Sequence, residues 1–292
     1  MRSLYAVIAS VSLCAGAPLA AQPAAEPPDA DDWNGEVATL TLNALLGGVT
    51  AGTVRALRGG SFGEGFALGA AGGALVYTGK RIAVQGWDGA GLAGREVAAL
   101  GTSVIRNTAD GRAPLERLVL PLWIGRVYVT TGPRLSVQPR LDLATTVSTV
   151  YQALDSRSRI DLPRSLSAGA PVFRVYTAEE EWIGFQRAGV VLLRYNPGYR
   201  GIEEQLPLDL VAPLERSAAH ERVHVAQLDQ AFLLVTAPLE DWLLDRFPAA
   251  ERIRRWVDPG IAGAPLYLTE LLIPYDSRPW EREADFLARQ AR

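Results

Sequence analysis

The chain has only two histidines, His220 and His224, four residues apart with a glutamate after the first: His220-Glu221-Arg222-Val223-His224. On a helix, residues i and i+4 share a face one turn apart. Two imidazoles so placed can each present a nitrogen to one Zn2+ at ~2.0–2.1 Å. Glu221 is offset around the helix from the imidazole face. It is therefore spared from ligation and can act as general base toward a zinc-bound water. Zinc lowers the pKa of that water toward ~7, within reach of a carboxylate. Leu214, Ala218, Val223, Val225 and Leu228 give this stretch an amphipathic helical pattern.

A hydrolytic zinc needs a third protein ligand and an open fourth position. No histidine is left, so the ligand must be a carboxylate. After His224 the chain reads Val-Ala-Gln-Leu-Asp-Gln, with no Gly three residues on and no His or Asp six on. That excludes the metzincin pattern. Farther along comes Ser277-Arg-Pro-Trp-Glu281-Arg-Glu283-Ala-Asp285. Glu281 and Asp285 share a helical face, so Glu281 can complete a two-His, one-Glu site. Asp285 can accept the other ring N–H of a ligating histidine and fix its tautomer. Glu283 points about 200° around the helix from Glu281 and does not face the same metal. Asp229, five residues past His224, is a rival ligand. Glu179–Glu181 reads as a solvated acidic turn, and Trp182, Trp242, Trp256 and Trp280 read as core or interface aromatics.

At these residues the sequence resembles the gluzincin metallopeptidases, which carry His-Glu-x-x-His on one helix and a Glu ligand with an Asp four residues later on another. The spelling of Ser277–Asp285 is closer to the peptidase family that includes the CAAX prenyl protease. The resemblance covers about 211–285. It implies that His220, His224 and Glu281 are zinc ligands, Glu221 the base, and Asp285 the partner of a ligating histidine. Gluzincins usually add a His or Tyr that stabilises the oxyanion. With no His left, Tyr275 or Tyr267 takes that place, Tyr275 being the first to test. The membrane-embedded branch carries several spans, and this sequence departs from it there.

The elements that must position these residues follow a coarse pattern. From Gly35 to Ala109 the chain is Gly/Ala-rich, with small residues at three- and four-residue spacing that let helix backbones approach closely. The Gly59–Ser61 break separates two helices, and Ala90–Ile105 reads as a third. Arg55, Arg58, Glu64, Lys80 and Arg81 interrupt the apolar runs, which favours a packed helical subdomain over a membrane-inserting glycine zipper. No Gly-Lys-Ser/Thr follows the glycines, so they form no phosphate loop. Strand patterns follow at Leu118–Tyr128, Arg134–Leu143, Val172–Tyr176 and Gly189–Tyr195, with Thr145–Leu154 open between helix and strand. Gly189–Tyr195 would suit an edge strand that pairs with an extended peptide. Helices are expected at Val211–Leu234, Leu239–Phe247, Ala249–Val257 and Trp280–Ala291. This is an α+β fold: a Gly-rich helical front, a central β-sheet, and a zincin-like helical back with the metal site in 211–292. The expected domains are a signal peptide 1–21, a linker 22–34, the helical region 35–109 and the zincin-like domain 110–292.

Composition narrows the function classes. The chain has 292 residues, net charge −3 and one Cys. That gives no electrostatic footprint for nucleic acid, no disulfide scaffold and no thiolate zinc ribbon. Arg2, the apolar run Leu4–Leu13 and the small residues to Ala21 describe a secretory signal peptide. Cleavage there places the protein in the periplasm or outside the cell. Val11-Ser12-Leu13-Cys14 only loosely resembles a lipobox, so an outer-membrane lipoprotein is the lesser alternative. Lys80 is the only lysine among 29 basic residues, which reads as codon pressure. The expectation is an exported zinc metallohydrolase, read as a peptidase on peptide or protein substrates, with peripheral membrane contact through 35–109. The alternative is a non-catalytic envelope-associated binding or structural protein whose metal site is structural or vestigial.

Overall fold

A computed structural model describes residues 33–178, 184–201, 206–238, 247, 252–260, 273 and 278–291. The expected signal peptide, most of the linker, Glu179–Glu181, Trp182, Trp242, Tyr267, Tyr275 and most of the helices expected at 239–257 lie outside these residues. The fold is α+β.

Three helices open it: α1 (Trp33–Leu57), α2 (Phe62–Ala83) and α3 (Ala90–Ala109). Ser61 caps α2, its hydroxyl accepting from the Glu64 N–H. The small residues do the work expected of them. A Cβ built on Gly47 would lie 2.3 Å from the Gly69 carbonyl oxygen, and one on Gly79 2.3 Å from the Ala98 nitrogen. Backbone thus packs on backbone from α1 through α2 to α3. Val76, Ile105 and Ala51 are fully buried in that seam.

The outward face of α1 is more apolar than the interrupting charges led the sequence reading to expect. Among the described residues one helix, Gly35–Leu57, is long and apolar enough to cross a membrane by length and composition. Thr, Asn and Gly break the apolar run in the sequence but add no charge, so Val37–Val54 is uncharged throughout. Val37, Leu40, Leu42, Leu45 and Leu46 are exposed on it.

The central region holds two four-stranded sheets where one was expected. Strands β1 (Arg117–Leu122), β2 (Gly125–Thr130) and β3 (Ser136–Asp142) form an antiparallel meander, with β8 (Val257–Asp258) parallel to β3. The stretch 118–128, expected as one strand, is a hairpin: Leu122 pairs with Gly125, and Trp123 at the tight turn takes φ 53°. Helix α4 (Leu143–Leu154), capped by Asp142, settles the open 145–154 segment. The second sheet runs β4 (Ser158–Ile160), β5 (Val172–Tyr176), β7 (Val190–Tyr195), β6 (Gly184–Arg187) in spatial order. Helix α5 (Leu162–Ala168) links β4 to β5.

Among the described residues strand β7, expected at an edge, is therefore interior, and the edge is β6. Val190, Val191 and Leu193 are buried to within 1%, as a strand covered on both faces requires. Helix α6 (Leu208–Ala231) lies against β6 and β7 and continues into a π-helical turn, Phe232–Thr236. Helix α7 (Pro279–Arg289) packs on α6. Ala219 and Val223 of α6 and Ala284 and Leu287 of α7 are fully buried together with Tyr77 and Val84 from α2 and its end. The Gly-rich front and the two chemistry-bearing helices share this core.

Candidate metal centre

Helix α6 carries His220, Glu221 and His224, and α7 carries Glu281 and Asp285. Their packing brings His220, His224 and Glu281 together across 61 and 57 residues of sequence. His224 Nε2 lies 2.8 Å from His220 Nε2 and 2.9 Å from Glu281 Oε2, and the third side of the triangle is 3.3 Å. The circle through these three atoms has a radius of about 1.75 Å, smaller than the ~2.0–2.1 Å of a zinc–ligand bond. One cation can therefore touch all three. Burial adds to the case: His220 is 9% exposed and Glu281 8%.

The proton inventory shows what a cation would find there. His220 Nδ1 sits 3.0 Å from Asp285 Oδ1, a carboxylate that can only accept while ionised, so Nδ1 carries the hydrogen. At His224 the partner is Gln227, whose Oε1 lies 2.7 Å from Nδ1. The orientation of that amide is fixed by its other end: Gln227 Nε2 donates to the Trp280 carbonyl at 3.0 Å and to Glu283 Oε2 at 2.8 Å. Oε1 must then face His224, and Nδ1 must be the donor. Each Nε2 is left with a lone pair, and both lone pairs converge with a carboxylate oxygen. Three acceptors in van der Waals contact repel unless something positive lies between them. In the absence of a metal, a proton on His220 meets the same demand. Burial lowers its pKa, but hydrogen bonds to Asp285 and Glu281 outweigh this and raise it to about 9. These residues can hold a metal ion.

Glu283 faces away from the triangle, as its position around α7 requires, but it is not solvated. Its carboxylate meets Lys80 Nζ at 2.8 Å and accepts from Asn43 Nδ2 at 2.7 Å and from Gln227. Lys80 is 2% exposed and donates also to Asn43 Oδ1 at 3.1 Å. The sole lysine is thus the buried counter-ion of the residue that holds Gln227, which sequence reading missed. Gln227, three residues past His224 on the same helix, was legible by periodicity alone. Lys80 carried no such signal, being 203 residues from its partner. Asp229, the rival ligand, is committed elsewhere: it pairs with Arg95 of α3 at 2.6 Å, both nearly fully buried.

Glu221 lies next to the triangle, 5% exposed. Burial pushes its carboxyl pKa up, partly opposed by the charges of His224 and His220. Strand β6 covers it closely. A Cβ on Gly184 would stand 2.1 Å from Ser217 Oγ and 3.1 Å from Glu221 Cγ, so a larger residue here would push on the Ser217 and Glu221 side chains. Beyond lies a cavity of about 370 Å3 with Glu221, the three candidate ligands and Arg278 in its wall. Gly184, Phe185 and Gln186 of β6 and Phe232 of the π-helical turn line it too.

No family model, curated protein or solved structure matches the chain. Its chemistry must be read from the site itself.

Proposed function

We propose that this chain is an exported, zinc-dependent metallohydrolase whose substrates are peptides. The observation that carries the reading is the convergence of two fixed imidazole lone pairs and a carboxylate beside a buried glutamate, all in the wall of one cavity. Two imidazoles and one carboxylate are a donor set suited to zinc, with room for an open position toward the cavity. Zinc bound there supplies Lewis acidity and lowers the pKa of water toward neutrality.

The residues of the chain do the rest. Glu221, with its proton affinity raised by burial, takes the proton of the attacking water and returns it to the leaving amine. Asp285 and Gln227 hold the two imidazoles in the ligating tautomer. Arg278, with Nη1 3.9 Å from Glu281 Oε1, brings positive charge beside the carbonyl oxygen that becomes anionic. Edge strand β6 favours a peptide over a small ester. Its residues line the cavity, and β7 occupies one side of it, leaving main-chain groups for an extended substrate.

Glu221→Gln tests the mechanism. It should retain the metal and lower the hydrolysis of a quenched-fluorescent peptide library by about 10²–10⁴-fold. Activity retained in a clean preparation would sink the role of Glu221.

The exposed apolar side chains of α1, Val37, Leu40, Leu42, Leu45 and Leu46, support peripheral membrane association of this enzyme.

A further inference from the structure

Strands β1, β2 and β3 turn their polar side chains inward and their apolar ones outward. The face toward the π-helical turn carries Val119 and Tyr128, which pack with Phe232 and Leu233. By the register, Arg126, Gln138 and Arg140 lie on that same inner face. The opposite face is apolar throughout. Leu118, Val129 and Val137 stand in one row across the three strands, and Leu120, Val127 and Pro139 in the next. Leu122, Gly125 and Leu141 complete this grid. None of the nine is buried, and Leu122, Val137 and Leu141 are exposed.

Helix α4 follows β3 directly and repeats the inversion. Its inner side is polar: Thr145 and Gln152 are buried, Ser148 donates to Arg187 O at 3.3 Å, and Gln152 accepts from Ser158 Oγ at 3.0 Å. Its outer side is Leu143, Val147, Val150, Tyr151 and Leu154, one helical stripe with every member exposed. Leu141 ends the grid and Leu143 begins the stripe two residues later, so the two apolar surfaces adjoin. Leu143–Leu154 carries no charge.

We propose that this surface is the interface of a twofold homodimer, its occupant a second copy of the chain. A twofold contact sets the same patch against itself, and a patch without charges meets its copy without repulsion. An anionic lipid surface is met through basic residues, which neither the grid nor the stripe contains. A three-stranded apolar face also has the form that packs on a second sheet at about 10 Å. Strand spacing and helix length give the grid and stripe about 400 Å2 in projection. That is the size at which an apolar patch marks an interaction site. It is about half of what each partner contributes to a standard interface, so the dimer is reversible. Ala144 and Thr145 of α4 line the metal cavity, which places the interface beside it. The inference does not rest on the metal chemistry.

The test is sedimentation velocity of the purified chain, without lipid, between about 1 and 100 µM. The wild type should pass from monomer to dimer across that range. Val137→Glu and Val147→Glu, made separately at positions 58% and 59% exposed, each put two like charges into the contact. Each should weaken association at least tenfold while the circular-dichroism melt stays unchanged. Leu42→Glu, the same change on the exposed face of α1, should leave the dimer intact. Amide exchange of the wild type, which needs no variant, should slow within 118–151 as concentration rises. A monomer at every concentration overturns the proposal. So does a dimer that both grid and stripe variants leave unchanged, or that Leu42→Glu weakens equally. Binding of a monomeric wild type to phosphatidylglycerol vesicles, lost in Val137→Glu, would give the face to a bilayer and overturn it as well.

Discussion

His224 is fixed at both ring nitrogens, and the fixing residue is an uncharged amide. Gln227 holds the Nδ1 hydrogen because its own amide hydrogens are spent on Trp280 and Glu283. Replacing Gln227 by Met keeps the length and removes the acceptor. The expected result is a 10–100-fold loss in metal affinity with the helix intact, read by competition against a chromophoric chelator; a circular-dichroism melt checks the fold. Unchanged affinity would mean that the ring is oriented by packing. At this scale much of the site was readable in advance. Helical periodicity put His220 with His224 and Glu281 with Asp285, because each pair lies within one turn. The hub at Glu283 was not readable, because its meaning depends on a lysine on another helix. A charge run in sequence cannot tell a solvated face from a buried ion pair. Tyr275, expected at the oxyanion, lies outside the described residues, whose cations in the cavity wall are Arg278 and Arg126.

The helices and longer strands were legible as elements, since 3.6- and two-residue patterns persist over enough residues to be seen. Short elements were not. Strands β4 and β6 and helix α5 span three, four and seven residues, too few for a pattern, and the turn of the 118–128 hairpin begins inside the apolar run Leu118–Ile124. The consequence matters for function: the edge beside Glu221 is β6 and not β7. The sheet that carries β6 is anchored at Asp161, the cap of α5. Its side chain accepts from the Arg164 N–H and ion-pairs with Arg164 and Arg174 at 2.8 and 2.7 Å. Burial raises the Asp161 pKa, but these partners outweigh burial and hold it below the usual value. A carboxyl so depressed stabilises the fold above its unfolded pKa, and that stability is lost as pH falls through the folded value. Urea unfolding between about pH 2 and 7 should therefore show Asp161→Asn less stable by about 1–3 kcal/mol at neutrality. Its acid dependence should also be shallower than that of wild type. Parallel profiles would exclude Asp161 as a source of the acid sensitivity.

Over the whole molecule, the Gly-rich front and the metal helices form one buried network. Asn43 of α1, Lys80 of α2, Glu283 of α7 and Gln227 of α6 meet around a single ion pair. Composition alone read 35–109 as a separate helical region, because small residues announce close packing without saying against what. The ion pair gives the answer and a prediction. Lys80→Met leaves Glu283 charged and buried and should cost about 3–5 kcal/mol of stability, measured by urea unfolding. It should also weaken metal binding through Gln227. A stability change within about 0.5 kcal/mol, as at an ordinary surface position, would contradict the network. The zinc content and zinc affinity of the purified chain, measured beside His224→Ala and Glu281→Gln, bear on everything else. About one zinc per chain, lost or greatly weakened in both variants, is the predicted result. Absence of zinc after reconstitution, or zinc bound equally well without the Glu281 carboxylate, would contradict the two-His, one-Glu centre.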